Sequence, residues 1–167
     1  MFVDISEILM QKGGQTSFNL SADILPKDYK PNINEFLSPV KVEGTVSNTD
    51  GKFSLTAKGN VKALLSCNRC LKPVKYDIAF DIEEVYTNTG SEDEAETFTG
   101  SIIDISPVVR RSILFSLPMK VVCSEDCKGL CPVCGKDLNE GECGCDTSYI
   151  NPKFESLRSL FKCDEEV

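Results

Sequence analysis

Residues 74–82 read Val-Lys-Tyr-Asp-Ile-Ala-Phe-Asp-Ile, with an apolar residue at every second position. The residues between them are charged, with one alanine as the exception. Strict alternation with a period of two predicts a β-strand that has one face on the core and the other in water. The same alternation occurs upstream, at residues 40–46, 53–57 and 61–65. The sequence therefore predicts an antiparallel sheet over about residues 40–86.

Turns and helices complete this outline. The run Asn48-Thr-Asp-Gly51 separates two of the alternating segments and is a turn signal typical of a hairpin. A helix is predicted near 106–117, with Ser106 and Pro107 at its start, and a last helix is predicted from Asn151 onward. The predicted fold is α+β: an antiparallel β-sheet with a few helices and a C-terminal cysteine-rich zinc-binding module.

The N-terminal part of the chain has a weaker pattern. Within residues 1–38, Ser6 is predicted to cap a short helix and residues 16–24 to form a strand. We expect a sheet domain over residues 1–120 that includes the helix near 106–117. Residues 121–167 are expected to form the cysteine-rich module and its helix, packed on the first part through a shared metal site.

Composition limits the class of protein. The chain has 167 residues, of which 18 are basic and 26 acidic, for a formal charge of -8, and 41% are hydrophobic. These values are typical of a soluble globular domain. No apolar run approaches the roughly 20 residues that span a bilayer, and the first residues lack the basic and apolar regions of a signal peptide. The expected compartment is the cytoplasm.

The chemistry-bearing residues are cysteines, because the chain has nine of them and no histidine. Histidine is the usual general base near neutral pH and the commonest metal ligand. Eight cysteines form four close pairs, which predict two tetrahedral all-thiolate sites and argue against a catalytic zinc with an open position. The predicted ligands are Cys67, Cys70, Cys123, Cys127, Cys131, Cys134, Cys143 and Cys145. We expect about two zinc ions per chain.

The four pairs can be divided into two sites in three ways. Only eight residues separate Cys134 from Cys143, so a zinc ribbon built from Cys131, Cys134, Cys143 and Cys145 costs little loop-closure entropy. The other site, which would hold the remaining pairs, then follows by elimination. Gly135 allows backbone N–H groups to approach the thiolates and spread their charge.

Other interpretations of the cysteines are weaker. A disulfide framework does not suit a reducing compartment. A thioredoxin-like pair lies at a helix N-terminus after a strand, whereas Cys67 and Cys70 lie between two predicted strands. An iron–sulfur cluster accepts any four thiolates, but the ferredoxin spacing is absent. Cys163 lies outside the pairs and is interpreted as a bystander.

Charge is distributed unevenly along the chain. Residues 58–75 contain five basic residues and no acidic one, whereas residues 76–109 contain nine acidic residues and no basic one. The basic segment predicts RNA contact through Lys62, Arg69, Lys72 and Lys75. The alternative is that these cations offset thiolate charge. A zinc ion with four thiolates carries a formal -2, so two filled sites lower the net charge from -8 to -12, which repels RNA and favours a basic protein partner.

The cysteine-rich run resembles a known family. The segment Cys127-Lys-Gly-Leu-Cys-Pro-Val-Cys-Gly-Lys-Asp-Leu-Asn139, then Cys143-Gly-Cys145 and Asn151-Pro-Lys-Phe154, is similar to the bacterial YceD-like family. The pair Cys67-Asn-Arg-Cys70 with Lys72-Pro73 matches the other motif of that family. The resemblance spans about residues 61–161. Asn151 departs from the family pattern, which usually has aspartate before the proline.

The resemblance implies a task that the residues themselves do not show. YceD-like proteins are called large ribosomal RNA subunit accumulation proteins and are associated with accumulation of 23S ribosomal RNA. The implied role is that of a non-enzymatic zinc-binding accessory factor in large ribosomal subunit biogenesis, which binds a ribosomal protein or precursor rRNA. The alternative function is a cysteine-based redox or metal-transfer protein, for which Cys163 is the one cysteine outside the predicted sites.

Overall fold

A computed structural model describes residues 1–24, 29, 33–88 and 96–146 of the chain. Within these residues the chain forms eight β-strands and one α-helix. The strands are β1 (Phe2–Asp4), β2 (Gln15–Ala22), β3 (Glu35–Phe36), β4 (Val40–Thr49), β5 (Lys52–Ser66), β6 (Pro73–Thr87), β7 (Glu96–Thr97) and β8 (Ile102–Asp104). The helix, α1, spans Ser106–Phe115.

The described residues belong to two compact units. The first combines Met1–Cys67 with Lys72–Cys123 and contains the strands and the helix. The second combines Asn68–Leu71 with the described residues from Ser124 onward. The second unit has few large apolar side chains and contains most of the cysteines.

The first unit is built on a six-stranded sheet with the order β2-β4-β5-β6-β7, in which β3 also pairs with β5. All its pairings are antiparallel except that of β6 with β7. The long strands β5 and β6 pair without interruption from Lys52 opposite Thr87 to Ser66 opposite Pro73. A separate two-stranded sheet joins β1 to β8. The predicted antiparallel sheet over residues 40–86 is confirmed.

The turn between β4 and β5 follows from its sequence. Asp50 and Gly51 have φ angles of 53° and 87°, the left-handed region that a type I′ hairpin turn requires at both central positions. The side-chain oxygen of Asn48 accepts a hydrogen bond from the Gly51 N–H at 2.9 Å. Its amide nitrogen donates to the carbonyl oxygen of Ile8 at 2.7 Å, so this buried side chain joins the hairpin to the N-terminal segment.

One face of the sheet is buried. In β5 the residues from Phe53 to Leu65 alternate between buried and less buried positions, as the period of two predicts. Gly59 belongs to the buried series, and the ring of its cross-strand neighbour Phe80 occupies the space that a side chain would fill. The core continues through the helix residues Val109 and Ile113.

The helical part of the prediction is only partly confirmed. Helix α1 is present, although Ser106 lies inside it and Ile105 is the N-cap residue. The short helix expected at Ser6 is wrong, because residues 5–11 form successive turns in which Ile8 and Gln11 each donate to the carbonyl three residues earlier. The helix predicted from Asn151 lies outside the described residues. In the described part of the chain the fold is therefore mostly β-sheet with one short helix, and the few helices predicted are not confirmed.

Candidate metal centres

The structure brings the eight paired cysteines together in two groups of four. The ligand atoms of each group all lie within 4.8 Å of one another. The first group is Cys67, Cys70, Cys123 and Cys127, and the second is Cys131, Cys134, Cys143 and Cys145. This division is the one that was predicted from the short loop between Cys134 and Cys143. Both groups could hold a metal ion.

Two turns present the cysteines of the CxxC pairs in the same way. The N–H of Cys67 donates to the carbonyl oxygen of Lys72 at 2.8 Å, and the N–H of Cys131 donates to that of Lys136 at 2.8 Å. Each bond closes a turn that contains both cysteines of a pair, whose sulfur atoms lie within 4.8 Å of each other. Both segments have the form Cys-x-x-Cys-x-Lys, and we call them the first and the second knuckle.

The second knuckle ends as expected for its sequence. Gly135 follows Cys134 with a φ of 74°, a left-handed conformation that glycine adopts without steric cost. The N–H of Gly135 donates to the carbonyl oxygen of Cys131 at 2.9 Å. Gly144, between Cys143 and Cys145, also has a positive φ, of 69°, which allows the two flanking cysteines to converge.

Hydrogen bonds shift thiol acidity in opposite directions at two cysteines of the second group. Hydrogen bonds from the backbone N–H groups of Cys134 and Val133 lower the pKa of Cys131 to about 6. Hydrogen bonds with the side chains of Cys134 and Cys143 raise the pKa of Cys145 to about 12. At neutral pH the lowered pKa favours the thiolate at Cys131, whereas the raised pKa keeps the proton on Cys145. A divalent cation would displace such protons, because coordinated thiols are deprotonated.

The donor set restricts which metal fits. Every ligand is a thiol, which favours zinc or iron–sulfur chemistry over magnesium or calcium. Four thiolates complete a tetrahedral zinc site and leave no coordination position for water or substrate. The described residues therefore fit structural zinc sites better than catalytic ones.

The first knuckle differs from the second at its last position. Leu71 takes the place that Gly135 has in the second knuckle and adopts a φ of 62°. A left-handed conformation costs a residue with a Cβ roughly 1–2 kcal/mol. The Leu71 side chain is 65% exposed, so burial offsets little of that cost.

We expect Leu71→Gly to stabilise the protein by about 1 kcal/mol, because glycine removes the strain at this position. Chemical denaturation of the metal-loaded protein measures the change. The matched control is Val133→Gly, which alters an exposed apolar residue of the second knuckle that lacks a positive φ. The control should destabilise the protein by about 0.5–1 kcal/mol. Equal destabilisation by both variants would contradict this account of Leu71.

Arg69 supports the loop that carries Cys127. Its Nη1 atom donates to the carbonyl oxygens of Glu125 at 3.1 Å and Cys127 at 2.7 Å. Its own carbonyl oxygen accepts a hydrogen bond from Leu130 at 3.1 Å. Arg69 is exposed, yet it has a structural role within the second unit that its position in the basic segment did not indicate.

The sheet register places part of the basic segment beside acidic residues. Two of the five basic residues lie in β5 opposite acidic residues of β6, Lys58 opposite Asp81 and Lys62 opposite Asp77. Lys58 also lies opposite Glu43 on its other side. Opposite charges paired across strands stabilise a sheet modestly. The basic segment therefore does not form a uniform basic face along the hairpin, although Lys72 and Lys75 are exposed near its end.

The fold and the cysteine groups define a β-sheet protein with two four-cysteine groups that could hold metal ions. Residues 55–161 match the family model described as large ribosomal RNA subunit accumulation protein YceD. That match covers more than half of the chain, and the chain belongs to the YceD family. The family name associates its members with accumulation of large-subunit ribosomal RNA.

Three relatives illustrate the range of the family. The chain is 31% identical over 137 residues to the uncharacterized protein YlbN of Bacillus subtilis, a match that covers 78% of each chain. It is 32% identical over 98 residues to an uncharacterized protein of Mycobacterium tuberculosis, covering 54% of this chain and 47% of that one. It is 24% identical over 160 residues to the chloroplastic large ribosomal RNA subunit accumulation protein YCED homolog 1 of Zea mays. That match covers 75% of this chain and 54% of the maize protein. No solved structure matches the chain.

Among the described residues, no helix is long and apolar enough to cross a membrane.

Proposed function

We propose that this protein is a non-enzymatic zinc-binding accessory factor in large ribosomal subunit biogenesis. The observation that carries the proposal is the convergence of eight thiols into two complete sets of four in a member of the YceD family. When bound, zinc would supply rigid cross-links between the chain segments that carry the cysteines. The cysteines would hold the metal, and the protein would act in the cytoplasm by binding a ribosomal component.

The partner is either a basic ribosomal protein or precursor rRNA. The net charge of -8, which two filled zinc sites lower to -12, favours the basic protein through complementary charge. The exposed Lys62, Lys72 and Lys75 support the alternative of RNA contact. Arg69 is a less suitable test of RNA contact, because its guanidinium donates to the loop that carries Cys127.

Charge reversal distinguishes the two partners. With a basic protein partner, changing Glu92, Asp93, Glu94 and Glu96 to lysine should weaken binding, whereas Lys62→Glu, Lys72→Glu and Lys75→Glu together should leave it unchanged. With RNA, the lysine variant should bind more weakly and the salt dependence of affinity should become shallower. Pull-down with ribosomal proteins and titration with large-subunit rRNA fragments measure both variants. Zinc content serves as the control, because it should not change in either variant.

The cellular test of the proposed function uses cysteine variants. In cells that depend on this protein, Cys131→Ser with Cys134→Ser should lower the amount of 23S rRNA relative to 16S rRNA, whereas Cys163→Ser should leave the ratio unchanged. The ratio is read from total RNA, with protein levels checked by immunoblot. Normal rRNA accumulation in the double variant would contradict the proposal. Loss of function in Cys163→Ser alone would instead favour the cysteine-based redox or metal-transfer protein.

A further inference from the structure

Asn139 connects the loop of one cysteine group to a ligand of the other. It lies between Cys134 and Cys143, within the loop that closes the second group. Its side-chain Nδ2 lies 3.5 Å from the sulfur of Cys127, a ligand of the first group, and donates a hydrogen bond to it. Both residues belong to the second compact unit. The two groups are therefore in contact through one side chain.

The orientation of the Asn139 amide is determined by its neighbours. Its Nδ2 also donates to Oδ1 of Asp137 at 2.7 Å, and its Oδ1 accepts from the N–H of Lys128 at 2.8 Å. An ionised carboxylate only accepts hydrogen bonds, and a backbone N–H only donates. These two partners exclude the flipped amide, so the N–H group must face Cys127.

Backbone hydrogen bonds hold the Asn139 loop against the segment that carries Cys127. The N–H of Leu138 donates to the carbonyl oxygen of Gly129 at 2.9 Å, and Leu130 forms an antiparallel bridge with Asp137. The N–H of Asn139 donates to Oδ1 of Asp137 at 2.9 Å, which closes a local Asx turn. The position of the amide thus depends on the order of this loop.

A hydrogen bond to a metal-bound thiolate affects metal binding through the ligand. The donated N–H takes part of the negative charge of the sulfur and fixes its position, and removing such a partner typically costs about 10–100-fold in metal affinity. Asparagine suits this position because its amide donates to the sulfur while its oxygen satisfies a backbone N–H. Aspartate at the same position would direct a negative charge toward a thiolate.

We propose that Asn139 is a positioning residue that couples the two metal centres, so that metal binding at the second centre raises the metal affinity of the first. This inference rests on the proposed function, because it requires both cysteine groups to bind zinc. Zinc at the second centre orders the loop between Cys134 and Cys143. The ordered loop then holds the Asn139 amide against Cys127.

Loop lengths give the order of loading. All ligands of the second centre lie between Cys131 and Cys145, whereas in a chain whose sheet has not yet folded the first centre joins Cys70 to Cys123 across a much longer segment. Closing a short loop costs less conformational entropy than closing a long one. The second centre therefore loads first and prepares the first centre.

The experiment measures the zinc affinities of full-length variants by competition with a chelating dye. Asn139→Leu, similar in size but without an N–H donor, should weaken the first centre by about 10–100-fold and leave unchanged the affinity of the second centre measured while the first is empty. Asn139→Asp retains the acceptor for the Lys128 N–H. It should lower the zinc affinity of the first centre at least as much as Asn139→Leu does. The matched control is Asn60→Asp, which adds the same charge at an exposed position in β5 and should change neither affinity.

A double-mutant cycle separates coupling from a merely structural role. Removing the second centre with Cys143→Ser and Cys145→Ser should weaken the first centre by the same factor as Asn139→Leu. Combining the three changes should weaken it no further, because both routes remove the same interaction. Cobalt substitution adds a spectroscopic readout, in which the thiolate charge-transfer band of the first centre shifts in Asn139→Leu and that of the second centre does not. Circular dichroism should show an unchanged sheet.

Three results would overturn the inference. Two bound zinc ions with unchanged affinities in Asn139→Leu would remove the coupling and leave the proposed function intact. Additive losses in the double-mutant cycle would show that Asn139 and the second centre act independently. Absence of zinc from the unsubstituted protein would overturn the coupling and the proposed function together.

Discussion

Replacing Cys131 and Cys134 together by serine is expected to reduce bound zinc from about two ions per chain to about one. Serine hydroxyls are poor substitutes for thiolates, and two remaining ligands do not hold a tetrahedral ion. The apparent binding energy of a structural zinc is about 10–16 kcal/mol, so the loss should also expose the second unit to proteolysis. Elemental analysis and limited proteolysis measure both effects.

Two further variants make this measurement specific. Cys67→Ser with Cys70→Ser should also leave about one ion per chain, and the two double variants combined should leave none. Cys163→Ser is the matched control and should retain about two ions. Zinc-free protein whose cysteines are joined in disulfides would contradict the metal centres. A predominance of iron after anaerobic purification would indicate an iron–sulfur cluster and favour the alternative of a cysteine-based redox protein.

Replacing Gly44 by alanine is expected to destabilise the sheet by about 3 kcal/mol or more. Gly44 lies in β4, a central strand, and a Cβ atom there would lie 2.4 Å from the carbonyl oxygen of Thr56 and 2.6 Å from the Cα of Ala57. Backbone atoms of a paired strand cannot move away without disturbing the β4–β5 ladder. Thermal or chemical denaturation should therefore show a much lower stability.

Gly59→Ala provides the matched comparison. A Cβ at Gly59 would lie 2.2 Å from the ring of Phe80, which is a side chain and can be changed. Gly59→Ala should therefore destabilise the protein alone and be partly rescued when combined with Phe80→Leu. The Phe80→Leu change should give no rescue of Gly44→Ala. Rescue of both glycine variants, or of neither, would contradict the assignment of one clash to the backbone and the other to the ring.

Local pattern in the sequence predicted the elements that depend on near neighbours. The alternation of residues 74–82 predicted β6 because side chains of a strand point to opposite faces, whatever the strand pairs with. The Asp50–Gly51 turn was predictable because few residue pairs tolerate two positive φ angles. The short helix expected at Ser6 was wrong, since a weak capping signal does not determine how residues 5–11 pack.

The cysteine spacing likewise determined the chemistry of the candidate centres, since all-thiolate sets of four restrict the metal whatever fold surrounds them. Only the tertiary structure decided which further residues serve these sites. Arg69 and Asn139 both form hydrogen bonds with Cys127. Local patterns in the sequence do not predict these bonds, because they join residues that are 58 and 12 positions apart. The structure likewise placed Lys62 of the basic segment opposite Asp77, a pairing that the local sequence does not predict because register is set by the whole sheet. The spacing of the cysteines therefore determined which kind of metal ion the candidate centres could hold, and the packing of the whole chain decided which other residues support them.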